Sequence, residues 1–162
     1  MAVLLLAFVF CTCLSICRVS GQVAELTTED IDAFLLEHNS VRAELQLNPL
    51  KWDNELASYA ASEGGKCQFE HSNGPYGENL YASSPAKWNH AELAADAVKS
   101  WIEEQKFVDY DQWSCITRSD DSCGHYSQIV WRNTEFVGCA IVHLEWDSGP
   151  TCGNFIGELP YK

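Results

Sequence analysis

The hydrophobic and polar positions of this 162-residue chain change character within the first 25 residues. Residues 3–16 are almost entirely apolar, and Arg18 is the only charged residue before Glu25. The apolar run is shorter than the roughly 18 residues that a membrane-spanning helix needs, and small residues follow it at Val19 and Gly21. We therefore expect residues 1–21 to be a signal peptide cleaved after Gly21, with a short membrane anchor as the alternative.

Apolar residues then recur at helical spacing, which predicts a first helix. Thr28 is followed by two acidic residues, a composition typical of a helix start because carboxylates are stabilised at the positive end of the helix dipole. The dipeptide Asn48-Pro49 is expected to end this helix. Its predicted buried face contains Ile31, Phe34, Leu35, His38, Val41, Arg42 and Leu45.

Three further helices and a few strands are predicted along the remaining chain. Asp53 caps a second helix that ends at Gly64-Gly65, Asn89 caps a third, and a short fourth helix begins near Ser122. Alternating or β-rich segments predict strands at residues 79–82 and 137–144, and residues 147–162 have room for one more. No linker or repeat divides residues 22–162, so a single α/β domain is expected.

The formal net charge of −13 limits the classes of partner. An acidic surface repels the phosphates of nucleic acids and anionic lipid surfaces, so neither class is expected as a partner. The six tryptophans and thirteen other aromatic residues favour a well-packed globule over a disordered chain.

Five cysteines remain once the expected signal peptide is removed. An exported chain meets an oxidising environment, so disulfides are favoured over zinc binding, for which the sequence lacks a C-x-x-C pair. An odd number leaves one cysteine unpaired. The five are Cys67, Cys115, Cys123, Cys139 and Cys152.

A carboxylate at the end of the third predicted helix is a candidate for chemistry. Leu93, Ala97, Trp101 and Glu104 follow one another in steps of four, four and three, which places them on one helix face. Glu104 therefore points inward, whereas Glu103 falls on the polar side. An inward carboxylate needs a partner because burying it alone is costly.

Histidines are the candidate partners. His71 precedes a glycine-punctuated loop, Glu78 follows seven residues later, and His125 lies at the start of the fourth predicted helix. Two imidazoles and two carboxylates suit a divalent metal such as Zn²⁺, or proton transfer. The alternative is that each histidine is a structural residue, because sequence separation alone does not bring these side chains together.

Several motifs resemble those of the CAP superfamily, which contains cysteine-rich secretory proteins, antigen 5 venom proteins and plant pathogenesis-related proteins. Residues 124–134, GHYSQIVWRNT, are similar to its G-H-[YF]-[ST]-Q-[LIVM]-[LIVM]-W-x-x-[ST] motif. Similarities to H-N-x-x-R, L-x-W-[DN], H-S, G-E-N-[LI] and G-N-[YFW]-x-G-x-x-P-Y follow in the expected order. They are found at residues 38–42, 50–53, 71–72, 77–80 and 153–161.

The resemblance implies a three-layer α-β-α sandwich with a cleft lined by two histidines and two glutamates. Carried over by position, these are His71, Glu78, Glu104 and His125, and Tyr126 and Gln128 line or brace the same cleft. Relatives are implied to bind a divalent cation, often through the two imidazoles, here His71 and His125. Other members are implied to bind sterols or fatty acids in apolar grooves.

The resemblance also implies two disulfides, Cys115–Cys123 and Cys139–Cys152, and leaves Cys67 unpaired. Relatives of the plant type carry a cysteine six residues after the one aligned with Cys139, and Glu145 stands there instead. The motif around Cys152 is about five residues shorter than usual, which predicts a trimmed last strand or reflects an imperfect gene model.

The expected function is binding or defence by a secreted, monomeric protein that is not an integral membrane protein. Its partner is expected to be a lipid, a sterol or an extracellular protein target. One alternative is a peptidase in which Glu78 or Glu104 acts as a base beside metal held by the imidazoles. Another is an extracellular signalling or toxin-like ligand. The sequence contains no obvious nucleophile and no H-E-x-x-H helix, and this weighs against a catalytic function.

Overall fold

The structure, a computed structural model, describes residues 19–85, 87–116, 123–146 and 154–159. Four helices and seven strands alternate along them, with a 3₁₀ helix at Glu103–Phe107. The α-helices are α1 (Thr28–Glu44), α2 (Asn54–Gly64), α3 (His90–Ile102) and α4 (Gly124–Ile129). The strands are β1 (Val19–Val23), β2 (Lys51–Trp52), β3 (Asn79–Ser83), β4 (Val108–Asp109), β5 (Ser114–Cys115), β6 (Phe136–Trp146) and β7 (Asn154–Leu159).

The main sheet is built around the long strand β6. Its order is β1-β6-β7-β3, all neighbours are antiparallel, and β2 pairs in parallel with the first two residues of β6. Strands β4 and β5 form a separate hairpin. The last strand, β7, pairs along all six of its residues with β6 on one side, and its residues 154–158 also pair with β3 on the other.

Local capping explains where the helices begin. Thr27 and Asp30 form a capping box at the start of α1, one residue before the predicted start, with the Thr27 backbone nitrogen donating to Asp30 Oδ2 over 2.7 Å. Asp53 Oδ1 accepts from the first backbone N–H groups of α2, and the Asn89 side chain accepts from Glu92 N in α3. Both caps were predicted from the sequence.

The side chains of β6 divide between two helical layers because successive residues of a strand face opposite sides. Val137, Cys139 and Ile141 are buried in the main hydrophobic core with α1, α3 and α4, whereas Ala140 packs with Ala60 of α2. Gly138 faces α2 so closely that a Cβ atom there would lie 2.2 Å from the Ala57 backbone nitrogen. Helices therefore cover both faces of the sheet, as the α-β-α expectation requires.

The H-N-x-x-R segment of α1 has a structural role. His38 Nδ1 lies 2.8 Å from the Phe34 carbonyl oxygen, and Asn39 exchanges two hydrogen bonds with the backbone of Leu50. The fully buried Arg42 donates to the carbonyl oxygens of Asn48, Ile129, Trp131 and Thr134. This side chain joins the end of α1 to the segment that follows α4.

Three helix boundaries differ from the prediction. Helix α1 ends at Glu44, four residues before Asn48-Pro49, because the backbone already leaves helical geometry at Gln46, where φ is 56°. Helix α3 ends at Ile102, and the chain tightens into the 3₁₀ helix that carries Glu104. Helix α4 begins at Gly124 rather than near Ser122, which is not among the described residues.

Most of the predicted signal peptide, residues 1–18, lies outside the described residues. Strand β1 crosses the predicted cleavage position, since Gly21 pairs with Leu144 and Gln22 with His143. Over the part of the chain that the structure describes, no helix is long and apolar enough to cross a membrane. Cleavage after Gly21 stays a prediction.

Candidate functional site

The four predicted cleft residues form two pairs. His125 Nδ1 lies 2.6 Å from Glu104 Oε1, and His71 Nδ1 lies 3.8 Å from Glu78 Oε2. The side chain of His71 is 57% exposed and that of His125 is 30% exposed, so both imidazoles are accessible to solvent. Both carboxylates are mostly buried.

Glu104 organises the start of α4. Its Oε2 accepts hydrogen bonds from the backbone nitrogens of His125 (3.0 Å) and Tyr126 (3.3 Å), while its Oε1 holds the His125 ring. The first N–H groups of a helix have no partner within it, so this carboxylate satisfies two of them from a distant segment. Glu103 is exposed, as the prediction from the helix face required, although a 3₁₀ turn rather than an α-helix turns Glu104 inward.

Glu78 holds the loop that carries His71. Its Oε2 accepts from the backbone nitrogen of Ser72 (2.9 Å) and from Ser72 Oγ (2.7 Å). The distance of 3.8 Å to His71 is too long for a hydrogen bond, and the contact becomes an ion pair only when the imidazole is protonated. Glu78 therefore fixes this loop through Ser72.

Direct contacts connect the two pairs. Asn79 Nδ2 donates to the carbonyl oxygen of His125 over 3.1 Å, and the Trp101 ring packs 6.0 Å from the His125 ring. The Gln128 amide lies against the backbone of Gly77, where a Cβ atom would be 2.2 Å from Gln128 Oε1. Gln128 thus braces the loop before Glu78, and a side chain at position 77 would have to displace the Gln128 amide.

The side chains present fit a cation site with two imidazole ligands and bound water better than a metal centre coordinated entirely by the protein. Glu104 holds His125 by Nδ1, an arrangement that orients the ring and leaves Nε2 for a ligand, whereas His71 Nδ1 faces Glu78 without a hydrogen bond. Within the described ranges, no group of three or more His, Cys, Asp and Glu residues is placed to hold one metal ion. A cation here would depend on His71, His125 and water. The shared four-residue cleft stays a prediction.

Tyr126 points away from these pairs into the interior. Its hydroxyl lies 3.1 Å from that of Tyr110, and the ring is buried. Burial, followed by the hydrogen bond to Tyr110, raises the pKa of Tyr126 well above that of an ordinary tyrosine. The Tyr126 hydroxyl therefore stays protonated near neutral pH. This fits a residue that lines a cavity and does not fit one that gives up its proton in a reaction.

An apolar groove of about 710 Å³ lies on the Tyr126 side of α4. The end of α1, the β4–β5 hairpin and the segment 126–132 form its walls. Trp113 and Trp131 are 68% and 61% exposed, so large apolar surfaces face solvent here. The lining residues are Leu45, Leu47, Val108, Trp113, Ser114, Cys115, Tyr126, Ser127, Val130, Trp131 and Arg132.

Local structure fixes the wall that carries Trp113. Asp109 Oδ1 accepts from the backbone nitrogens of Asp111 (2.9 Å) and Gln112 (3.1 Å), which closes the hairpin turn. Trp113 adopts a left-handed backbone conformation with φ 50°, and its ring meets Tyr110 edge to face at 5.7 Å. The turn thereby projects an indole into solvent beside the groove.

The expected Cys115–Cys123 disulfide is present and ties this hairpin to the start of α4. The other expected bridge, Cys139–Cys152, cannot be described because Cys152 lies outside the described residues. Cys67 is half-buried with a free thiol, 3.5 Å from the Gly65 carbonyl oxygen. Burial raises the pKa of this thiol, which disfavours the reactive thiolate.

Replacing Glu104 with alanine is expected to lower the free energy of unfolding by about 2 kcal/mol, because two backbone N–H groups of α4 and the His125 ring lose their acceptor. Urea unfolding measures this change. The neighbouring Glu103→Ala variant removes an exposed carboxylate and should change stability by less than about 0.5 kcal/mol. Equal effects of the two substitutions would contradict the assigned role of Glu104.

Sequence reasoning missed the groove, and it missed the contacts of Ser72 with Glu78 and of Asn79 with the backbone of His125. The inward faces of the first and third helices, including Phe34, Leu93 and Val98, are part of the hydrophobic core. One signal was available. Trp113 stands in an otherwise polar segment, where burial in a core does not explain a large aromatic residue.

Comparison with known proteins adds to this geometry. The sequence matches the cysteine-rich secretory protein family, CAP, over residues 35–152. It is 42% identical over 139 residues to pathogenesis-related protein PR-1 of Medicago truncatula, covering 79% of this chain and 77% of that protein. The basic form of pathogenesis-related protein 1 of Nicotiana tabacum is also 42% identical over 139 residues, covering 79% and 73%.

Solved structures show the same fold. Na-ASP-1 is similar with a TM-score of 0.68 and 24% identity, over 86% of this chain and 40% of that one, so this chain spans less than half of Na-ASP-1. The structure of NaASP2 with Zn²⁺ gives a TM-score of 0.64 and 23% identity, over 83% of this chain and 81% of that one. At this identity the similarity concerns the fold alone.

Proposed function

Because the chain belongs to the CAP family of cysteine-rich secretory proteins, we propose that it is a secreted defence protein that acts by binding a sterol or a fatty acid. The observation that carries the proposal is the apolar groove of about 710 Å³ flanked by the exposed Trp113 and Trp131. The curated relatives are pathogenesis-related proteins, which supports the defence role.

The groove has the properties expected of a lipid site. Its volume falls within the range of about 300–1,000 Å³ typical of small-molecule pockets, and most of its lining is aliphatic or aromatic. Two exposed polar side chains in its lining, those of Ser114 and Arg132, are available to orient a ligand. A sterol hydroxyl or a fatty-acid carboxylate would hydrogen-bond to such groups while the hydrocarbon covers the indoles.

The contacts around the paired histidines disfavour the peptidase alternative. Ser72 Oγ donates to Glu78, and Ser127 Oγ donates to the Cys123 carbonyl oxygen, so neither hydroxyl is paired with a histidine that could activate it. Glu104 is occupied by two backbone N–H groups and the His125 ring. Because these side chains are already hydrogen-bonded to other groups, a structural role is favoured for them over a catalytic one.

Equilibrium titration with cholesterol and with palmitate, followed by tryptophan fluorescence, tests the lipid proposal. We expect saturable binding of one ligand per chain, with a change in indole emission because Trp113 and Trp131 leave water. Absence of binding by both lipids, measured also with radiolabelled ligand to exclude a silent signal, would reject the proposal.

The solvent access of both imidazoles and the hold of Glu104 on the His125 ring support a second proposal, the binding of a divalent cation such as Zn²⁺ through His71 and His125. Calorimetric titration with ZnCl₂ should detect one site in the unmodified protein. The His71→Ala, His125→Ala double variant is expected to bind at least about tenfold more weakly because both nitrogen ligands are lost. Glu70→Gln, an exposed neighbour, is the control, and unchanged binding in the double variant would exclude this site.

A further inference from the structure

A second pair of histidines lies outside the cleft. His90 Nε2 and His143 Nε2 are 2.9 Å apart, a hydrogen-bond distance. His90 is the first residue of α3 and His143 lies on β6 in the face that packs against α1 and α3. The contact therefore joins the amino end of a helix to the central strand of the sheet, and neither the cleft nor the groove uses it.

An exposed tryptophan covers this pair. The ring of Trp88 stacks on that of His143 with 4.5 Å between centroids and 21° between planes, although Trp88 is 62% exposed. His143 itself is buried. Among the described contacts, the stacking on the buried His143 ring is the one that orients this exposed indole.

Charged groups lie on both α1 and the α3 side, next to the pair. From α1, Asp30 Oδ2 lies 4.0 Å from His90 Nδ1, and it also receives the capping hydrogen bonds of Thr27. On the α3 side, Lys87 contacts the carboxylates of Glu92 and Asp96. Neutral residues pair with His143 from the neighbouring strands, Gln22 of β1 and Asn154 of β7.

Proton counting shows how such a pair responds to acid. A bond between two Nε2 atoms needs one nitrogen with a hydrogen and one with a free lone pair. One added proton leaves the bond intact when it enters at His90 Nδ1, beside Asp30, because His90 Nε2–H still donates to His143. A second proton must occupy the accepting nitrogen, so the bond is lost and two cations lie about 3 Å apart.

We propose that the His90–His143 pair is an acid-sensitive latch that accommodates one added proton and opens on the second, releasing Trp88 and the amino end of α3 from β6. Histidine is the side chain that ordinarily changes charge between pH 5 and 8, which sets the pH range for a test of the latch. In the folded chain the second proton breaks the hydrogen bond and places two cations side by side, and neither cost arises in the unfolded chain. Stability therefore falls as the pH is lowered through this step.

Urea unfolding and tryptophan emission of the full chain, each measured from pH 8 to pH 5, test the latch. In the unmodified protein, we expect the unfolding midpoint to fall on acidification and the emission of Trp88, isolated by subtracting that of a Trp88→Phe variant, to change with it. His143→Gln should lose most of both pH-dependent changes, because an amide hydrogen-bonds to His90 without taking up a proton.

Two further variants keep the test decisive. Glu92→Gln removes an exposed charge from the same turn of α3 and should retain the pH dependence of the unmodified protein. If His143→Gln fails to fold, His90→Gln replaces the less buried partner and should remove the same changes. Identical pH profiles for the unmodified protein and the histidine variants would overturn the proposal.

Discussion

Replacing Arg42 with methionine is expected to lower the free energy of unfolding by about 4 kcal/mol. Arg42 is fully buried, and its guanidinium donates over 2.8–3.0 Å to four backbone carbonyl oxygens. Methionine fills much of the same space but donates no hydrogen bond, so these acceptors are left in the interior without their partner. A buried polar group that loses its partner costs about 1–3 kcal/mol.

A lysine at this position separates charge from geometry. Arg42→Lys keeps the positive charge, but a single ammonium cannot match the planar fork that reaches Ile129, Trp131 and Thr134 together. We expect a loss intermediate between those of the unmodified protein and the methionine variant, measured by urea unfolding.

The exposed Arg132 provides the matched control. Arg132→Met makes the same chemical change on the surface and should alter stability by less than about 0.5 kcal/mol. A loss of under about 1 kcal/mol for Arg42→Met would show that water replaces the guanidinium at little cost, which would contradict the assigned role of Arg42.

Truncating both groove tryptophans is expected to weaken lipid binding about 100-fold, or about 2.7 kcal/mol. Trp113 and Trp131 carry the largest apolar surfaces at the rim of the groove. A bound hydrocarbon would remove much of that surface from water, and large aromatic anchors commonly contribute 2 kcal/mol or more to binding. The Trp113→Ala, Trp131→Ala double variant is titrated with radiolabelled cholesterol and palmitate.

Trp88 supplies the control for this experiment. It is also strongly exposed, but it stacks on His143 and does not line the groove. Trp88→Ala should therefore bind lipid with unchanged affinity, whereas a comparable loss in all variants would indicate nonspecific adsorption to indoles. Because Trp113 and Trp131 are exposed, the double variant should unfold at nearly the same urea concentration as the unmodified protein.

The helix caps and the buried helix faces could be predicted from the sequence because both depend on residues that are close together in the chain. Asp53 and Asn89 cap the helices that they were expected to cap, and Leu93, Ala97 and Trp101 are buried together on α3. The end of α3 could not be predicted in this way. The spacing predicted an α-helix through Glu104, whereas the chain adopts a 3₁₀ turn in which Glu104 reaches the start of α4.

The role of Arg42 illustrates a second limit. Its position on the buried face of α1 was predicted, but three of its four acceptors lie 87–92 residues further along the chain. Helical periodicity reports which way a side chain faces and contains no information about the backbone groups that it meets. The same limit applies to the contact between His90 and His143, which lie 53 residues apart in the chain.

The sequence by itself determined the CAP family, the α/β fold and the starts of α2 and α3, because motif spacing, capping residues and apolar periodicity are properties of neighbouring positions. Only the tertiary structure decided that Glu104 holds His125 and that Trp113 and Trp131 border one groove. It also showed that His90 meets His143. These contacts join segments far apart in the chain, and their geometry follows from how the helices pack on the sheet.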